Sequence, residues 1–223
     1  MSKVVVLHSG GLDSSVLLYS MVKKGHDCYP LTIAYGQRHK KEIIYALKIS
    51  HSLGISERHK VLDLSVIGEL LPSTLTGKGE IPNGHYEDES MKSTVVPNRN
   101  MILLAIAGGY AQGIDAKLLA YAAHTGDHAI YPDCRPEFID SVDRTIRLGT
   151  GWTESSGVSI LAPFMYVSKA DVVTEGKRYG VPFELTWSCY KGLDLHCGTC
   201  GTCVERKEAF KLARVEDPTL YKE

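Results

Sequence analysis

Two groups of residues in this chain have the types and the spacing to do chemistry. The first is Ser9-Gly10-Gly11-Leu12-Asp13-Ser14-Ser15, directly after the apolar run Val4-Val5-Val6-Leu7. A buried strand that ends in a glycine-rich turn and opens a helix gathers backbone N–H groups and the positive end of a helix dipole around one point, which is a phosphate cradle. Glycine at 10 and 11 lets the backbone approach an anion, the serine hydroxyls add donors, and Asp13 is placed to hold Mg²⁺ or to cap the helix. The stretch has neither the Walker A pattern nor G-x-G-x-x-G; its bland counterpart is a strand-to-helix turn that merely has small residues. The second group is Cys189, Cys197, Cys200 and Cys203, a C-x7-C-x2-C-x2-C cluster. Two-residue spacers bring adjacent thiolates together through tight turns, and four thiolates suit a closed tetrahedral Zn²⁺ site with a structural rather than a Lewis-acid role. Iron–sulfur clusters use the same donors. Such a site pins residues 202–212 near the rim of the first group. A nucleic-acid-binding knuckle would want more aromatic and basic flanking residues than this segment has. Cys28 reads as a packed strand thiol, and Cys134, in a polar loop, as packed with a reactive role as the alternative.

These residues need a frame. Apolar runs predict strands at 3–7, 28–35, 59–64, 117–121 and 159–161, and helical spacing predicts helices at 13–24, 40–53, 97–113, 136–148 and 168–179. Helix 13–24 offers Val16, Leu17, Tyr19, Met21 and Val22 as its apolar face, and helix 40–53 turns Ile43, Ile44, Ala46, Leu47 and Ile49 inward. Ser168 with Asp171 three residues on reads as a capping box. The alternation predicts an α/β fold, a doubly wound and mostly parallel five-stranded sheet with helices on both faces. The four cysteines fall in a small C-terminal segment, so the expected division is 1–185 for the nucleotide domain and 186–223 for the metal segment packed on it. Residues 74–92 break the pattern and read as a long, partly mobile loop near the substrate. Ligands bind outside the carboxyl ends of the strands in such sheets, and the loop at 9–14, the stretch 35–39 and the polar loop 122–135 all fall there.

Composition bounds the function classes. The chain has 223 residues, 43% hydrophobic and 23% charged, with a net charge of −1. That is an ordinary globular balance with no global basic footprint, so no nucleic-acid partner is expected. No apolar run is long enough to span a membrane and no export signal is visible, so the expected location is the cytoplasm.

The first group resembles the SGGxDS loop of the PP-loop ATP pyrophosphatases. Further motifs make the resemblance specific over nearly the full length: Tyr35-Gly36-Gln37-Arg38-His39, Leu75-Thr76, Val96-Pro97 with Arg99-Asn100, Tyr131-Pro132-Asp133-Cys134-Arg135, and the four cysteines. With these the chain is similar to the 7-cyano-7-deazaguanine synthases, the nitrile-forming enzymes of queuosine and archaeosine precursor synthesis. It departs from their commonest pattern at Asn98, where many members have glycine, and across residues 123–130. The resemblance implies ATP, Mg²⁺ and Zn²⁺ as cofactors, 7-carboxy-7-deazaguanine and ammonia as substrates, and a homodimer. It implies an ATP site from Leu7, His8, Ser9, Gly10, Gly11, Leu12, Asp13, Ser14, Ser15, Val16 and Leu17; by position alone, His8 reads as packed against the strand end. The catalytic set carried over is Asp13, Lys169, Arg38, Arg99, Asp127 and Asp133, with His128 as a further candidate for proton movement. No glutaminase segment is visible, so the ammonia is free or comes from another protein. The alternatives are a tRNA-modifying PP-loop enzyme, a relative acting on another carboxylate, and a nucleotide- or zinc-binding module without turnover.

Overall fold

Val4, Val5, Val6 and Leu7 alternate between two apolar layers, and all four are buried. A strand with both faces covered needs a continuous apolar run, which is why this one reads Val-Val-Val-Leu rather than alternating with polar residues. It is β1 (Lys3–Leu7), the centre of a parallel five-stranded sheet ordered β3-β2-β1-β4-β5, with β2 at Asp27–Ala34, β3 at Lys60–Asp63, β4 at Leu118–Ala120 and β5 at Ser159–Leu161. The computed structural model describes residues 2–77 and 79–222.

Helices α1 (Leu12–Lys23) and α2 (Lys41–Ser52) follow β1 and β2, and a single turn, α3 (Ile67–Leu70), follows β3. On the opposite face lie α4 (Arg99–Gly113) and α5 (Pro136–Thr150), whose Leu104, Ala107, Ala111, Ile139, Val142 and Ile146 pack on Val5 and Leu7. The face of Val4 and Val6 is covered by α1, by α6 (Lys169–Tyr179) and by α7 (Gly201–Ala213), through Leu17, Val172, Val173 and Phe210. Ser168 caps α6 as expected, its side chain accepting from the Asp171 N–H.

Three local expectations change. Ile44 and Leu47 of α2 are 54% and 46% exposed, because α2 meets the sheet only through Ala46, Ile49 and Ser50. It lies towards the β3 edge, where every strand residue is itself exposed, so no layer exists to cover a wider apolar face. Helix α4 begins at Arg99 rather than 97, because Asn98 takes a left-handed φ of 54° and turns the chain into the helix. The loop 74–92 is fastened at several points: the Thr74 N–H donates to Ser93 O, Gly84 N–H to Thr199 O, and Leu75, Ile81 and Tyr86 are buried.

Helix α7 had no periodic apolar signal of its own in the sequence. Its anchor is Arg206, a fully buried cation that donates to both carboxylate oxygens of Asp217, to the Thr186 hydroxyl and to Phe183 O. Burial alone would raise the Asp217 pKa, but Arg206 outweighs it and holds the carboxyl below its ordinary value.

Candidate active site

The sheet reverses direction of winding between β1 and β4, and a cavity of about 230 Å³ opens there, at the carboxyl ends of β1, β2 and β4. Leu7, His8, Ser9, Gly11, Leu12, Asp13 and Ser14 line it. The Ser9 and Ser14 hydroxyls are 3.1 Å apart, and Ser14 Oγ also accepts from the Ser9 N–H, so the loop is braced from within. Gly10 has φ +86°, and a Cβ there would come within 2.1 Å of Glu42 O, so only glycine lets the loop lie against α2. Gly10 itself, with Ser15, Val16 and Leu17, does not line the cavity. Ser15, Val16 and Leu17 are fully buried in the α1 face that packs against the sheet, because a helix leaving the loop turns only its first residues towards the ligand.

Beside the loop sits a buried ionic group. Lys169, first residue of α6, places Nζ 2.9 Å from Asp13 Oδ2 and 3.0 Å from Glu205 Oε2. Its Nζ is 3.3 Å from His124 Nε2, which also faces Asp127 Oδ2 at 3.7 Å. Burial works against the Lys169 charge, but Asp13 and Glu205 outweigh it and hold its pKa above the ordinary lysine value. Burial likewise opposes the Asp13 carboxylate, but the Lys169 ammonium leads the interactions that more than offset it, so its pKa is lowered. At Glu205 burial wins and the pKa is raised, because the same lysine is already shared with Asp13. Asp127 reaches the cavity wall by capping the turn after His124 and accepting from the Tyr86 hydroxyl at 3.1 Å.

The far wall is aromatic. Tyr35, Tyr86, Tyr121, Tyr131 and Tyr190 line it, and Arg99 enters between them. The Arg99 guanidinium lies over the Tyr35 ring at 5.2 Å and donates to its hydroxyl at 3.1 Å. A flat, π-faced wall entered by a guanidinium suits a planar heterocycle that bears an anionic substituent.

Two of the sequence candidates are engaged elsewhere. Arg38 donates to Thr74 O and Gly79 O, fastening the long loop outside the cavity. Asp133 accepts from the Asn100 N–H at 2.9 Å, which satisfies the start of α4 and so aims Arg99. His128 is not among the lining residues either. Cys134 does line the cavity, but burial raises its thiol pKa and Asn100 and Tyr121 hold it, so it is a packed wall residue.

The four cysteines converge as their spacing predicts. Their sulfurs all lie within 4.8 Å of one another and all four residues are buried. Backbone N–H groups of Cys197, Thr199 and Cys200 donate to the sulfurs of Cys189 and Cys197. Donors aimed at sulfur stabilise thiolate charge, and four thiolates this close demand a cation between them, so the donor set fits a tetrahedral metal. Asp13 offers a comparable sign at the loop, where its Oδ1 is buried without a hydrogen-bond partner, as a hard divalent cation would require.

Sequence reasoning missed Glu205, His124 and most of the tyrosines. Glu205 carried one available signal, its place two residues after Cys203; the tyrosines carried none, since they come from separate elements.

A family model described as the queuosine biosynthesis protein QueC matches residues 3–214. The chain is 51% identical over 222 residues to the 7-cyano-7-deazaguanine synthase of Allorhizobium ampelinum, covering 99% of this chain and 93% of that protein. To the 7-cyano-7-deazaguanine synthase of Pseudoalteromonas atlantica it is 49% identical over 220 residues, 98% of each. Among solved structures, the U34-tRNA thiolase NcsA from Methanococcus maripaludis, with its 4Fe–4S cluster, superposes with a TM-score of 0.52 at 15% identity over 95% of this chain, which spans 65% of that one, just under two thirds. The NMN synthetase from Francisella tularensis gives 0.50 at 16% identity, over 96% of this chain and 78% of that one. At such identities the likeness concerns the fold alone.

Proposed function

The chain belongs to the family of the queuosine biosynthesis protein QueC, and from that membership we propose that it converts 7-carboxy-7-deazaguanine, ammonia and ATP to 7-cyano-7-deazaguanine. The observation that carries the reading is one cavity lined both by the Ser9–Ser14 loop with Lys169 and by Arg99 among the tyrosines. Two chemistries, phosphate binding and recognition of a planar acid, meet there.

A carboxylate is a poor electrophile because its charge is delocalised and its leaving group would be oxide. A substrate carboxylate oxygen attacks the α-phosphorus of ATP, and pyrophosphate leaves. Ammonia then adds to the acyl adenylate, AMP leaves with the acyl C–O bond, and a proton is lost to give the amide. The amide oxygen attacks a second ATP in the same way, and departure of AMP with the C–O bond, with loss of the remaining N–H protons, gives the nitrile. In both activations the chain does the same work. The hydroxyls of Ser9 and Ser14 on the loop hold the departing pyrophosphate, and Lys169 meets the charge that develops on it. Mg²⁺ held by Asp13 would supply further positive charge at the phosphates. Arg99 orients the acid, and Asp127, held by the Tyr86 hydroxyl, lines the same cavity. The cysteines would hold Zn²⁺ as a closed structural site. A homodimer is part of the same proposal, on the strength of the family alone.

The experiment is mass spectrometry of purified protein supplied with the acid, ammonium, ATP and Mg²⁺. The expected product is lighter than the acid by the replacement of carboxyl with cyano, with two AMP formed for each nitrile. AMP and pyrophosphate without nitrile would keep the adenylation site and reject the substrate; no nucleotide turnover by folded, zinc-loaded protein would reject the enzyme reading.

A further inference from the structure

Glu205 reaches the nucleotide corner from α7, the helix that follows Cys200 and carries Cys203. Its α-carbon is two residues past Cys203 and one before Arg206, so α7 is fixed on one side by the thiolate cluster and on the other by the buried Arg206–Asp217 pair. Its side chain is 12% exposed, and Oε2 has no hydrogen bond of good geometry although it lies 3.0 Å from Lys169 Nζ. A Cβ at Gly126 would fall 2.9 Å from Glu205 Oε1 and 2.9 Å from the His124 ring, so that glycine lets the loop close over both.

The group is poorly designed as a mere stabiliser. Three carboxylates, Asp13, Asp127 and Glu205, surround one lysine, and buried carboxylates of like charge oppose folding. An ammonium has three donors. Asp13 and Glu205 fix its position from two sides. His124 accepts from the Gly126 N–H through Nδ1 at 3.1 Å, so the neutral ring carries its hydrogen on Nε2 and presents Lys169 with a donor instead of an acceptor. An ammonium N–H is therefore left for a ligand oxygen in the cavity that Lys169 lines.

We propose that Glu205 is a positioning residue for adenylation: with Asp13 it aims the Lys169 ammonium at the departing pyrophosphate, and through it the four-cysteine centre sets the alignment of the nucleotide site. The proposal rests on the adenylation reading above. It gives the metal segment a second consequence besides holding the C-terminal chain in place, since loss of the metal frees the start of α7 and with it one side of the Lys169 clamp.

The test compares wild type, E205A, E205Q, K169M and the E205A/K169M double variant, with zinc content and thermal midpoint measured alongside. In acid-dependent exchange of labelled pyrophosphate into ATP, E205A loses about 10–100-fold in kcat, the range for removing an outer-shell orienting group, while the KM for ATP, the zinc content and the midpoint stay near wild type. E205Q, which keeps an oxygen acceptor, recovers part of the rate. In the K169M background E205A has no further effect, because the residue acts through that lysine. Exchange at the wild-type rate in E205A overturns the proposal, as do effects of E205A and K169M that multiply, or a rate loss that only follows zinc loss. If wild type exchanges no pyrophosphate, the adenylation reading fails on its own. The placement of Glu205 is then judged by Mg·ATP affinity from calorimetry on the same proteins, where coupling between the two positions upholds it and independence refutes it. Chelation of the metal alters Mg·ATP affinity in wild type and not in E205A; an equal response in both removes the link to the cysteine centre.

Discussion

Arg99 is the cation that enters the aromatic wall of the cavity, and its surroundings define what it can do. Tyr35 holds the guanidinium by its ring face and its hydroxyl, while the Asn100 carboxamide oxygen accepts from the Nε–H and one terminal N–H at 3.3 Å. These contacts leave donors on the fork free to meet a planar carboxylate, the geometry for which arginine is better suited than lysine. Under the proposed function, Arg99→Met removes a charge-assisted hydrogen bond, which is worth about 1.5–3 kcal/mol, so kcat/KM for the acid falls about 10–100-fold. The KM for ATP changes little, because the nucleotide loop lies on another element. Steady-state pyrophosphate release, with each substrate varied in turn, separates the two; an effect on the ATP side alone would show that Arg99 serves the phosphates instead. Arg38, the other arginine the motifs suggested, gives no such split, since its guanidinium is committed to the carbonyls of Thr74 and Gly79.

At the scale of elements, the aim of Arg99 depends on how α4 begins. Asn98 sits at φ 54°, ψ 25°, and the amide of Asn100, two residues on, is satisfied by Asp133. The left-handed conformation suits the residue found there, since glycine and asparagine are the residues that adopt it readily. Asn98→Gly is therefore expected to be close to neutral, whereas Asn98→Ala costs about 1–2 kcal/mol for a Cβ forced against the following carbonyl. Urea unfolding of the two variants checks this; equal stabilities would mean that the turn relaxes to another conformation. This element also shows what sequence can and cannot carry. The helix and its Arg-Asn start were legible, because periodicity and motif both mark them. The bond from Asp133 was not, because it joins residues more than thirty positions apart, and Asp133 was read as a catalytic candidate from its motif. Helix α7 shows the opposite limit. Its four-cysteine origin was plain, yet its helical character and the projection of Glu205 depend on a buried arginine whose partners lie at 183, 186 and 217.

For the whole molecule, the alternation of strands and helices was enough to predict the sheet, because each buried strand must be apolar on both faces and each crossover must return across a layer. What alternation cannot reveal is which polar groups become trapped between the layers, and two histidines are trapped here. Thr32 donates its hydroxyl to His8 O and so can only accept from the His59 Nε2–H, at 2.8 Å. Burial lowers the His8 pKa from 6.5 to about 3, helped by neighbouring His59, and burial lowers His59 to about 4. Both rings are thus neutral in the folded chain over a range where the unfolded chain protonates them. The sign follows from proton counting. Above pH 6.5 neither state binds the protons and stability is unaffected; below it the unfolded state binds more, so stability falls as pH drops. The slope reaches up to about 1.4 kcal/mol per pH unit for fully buried His8, and is smaller for the partly solvated His59. Urea midpoints of the zinc-loaded protein should therefore decline steadily from pH 6.5 towards 4. His59→Gln keeps an N–H for Thr32 and cannot titrate, so its decline is shallower, although His8 still contributes. A wild-type midpoint that stays level across this window would mean that both rings are already charged inside the sheet, and the packing of the strand that feeds the nucleotide loop would have to be redrawn.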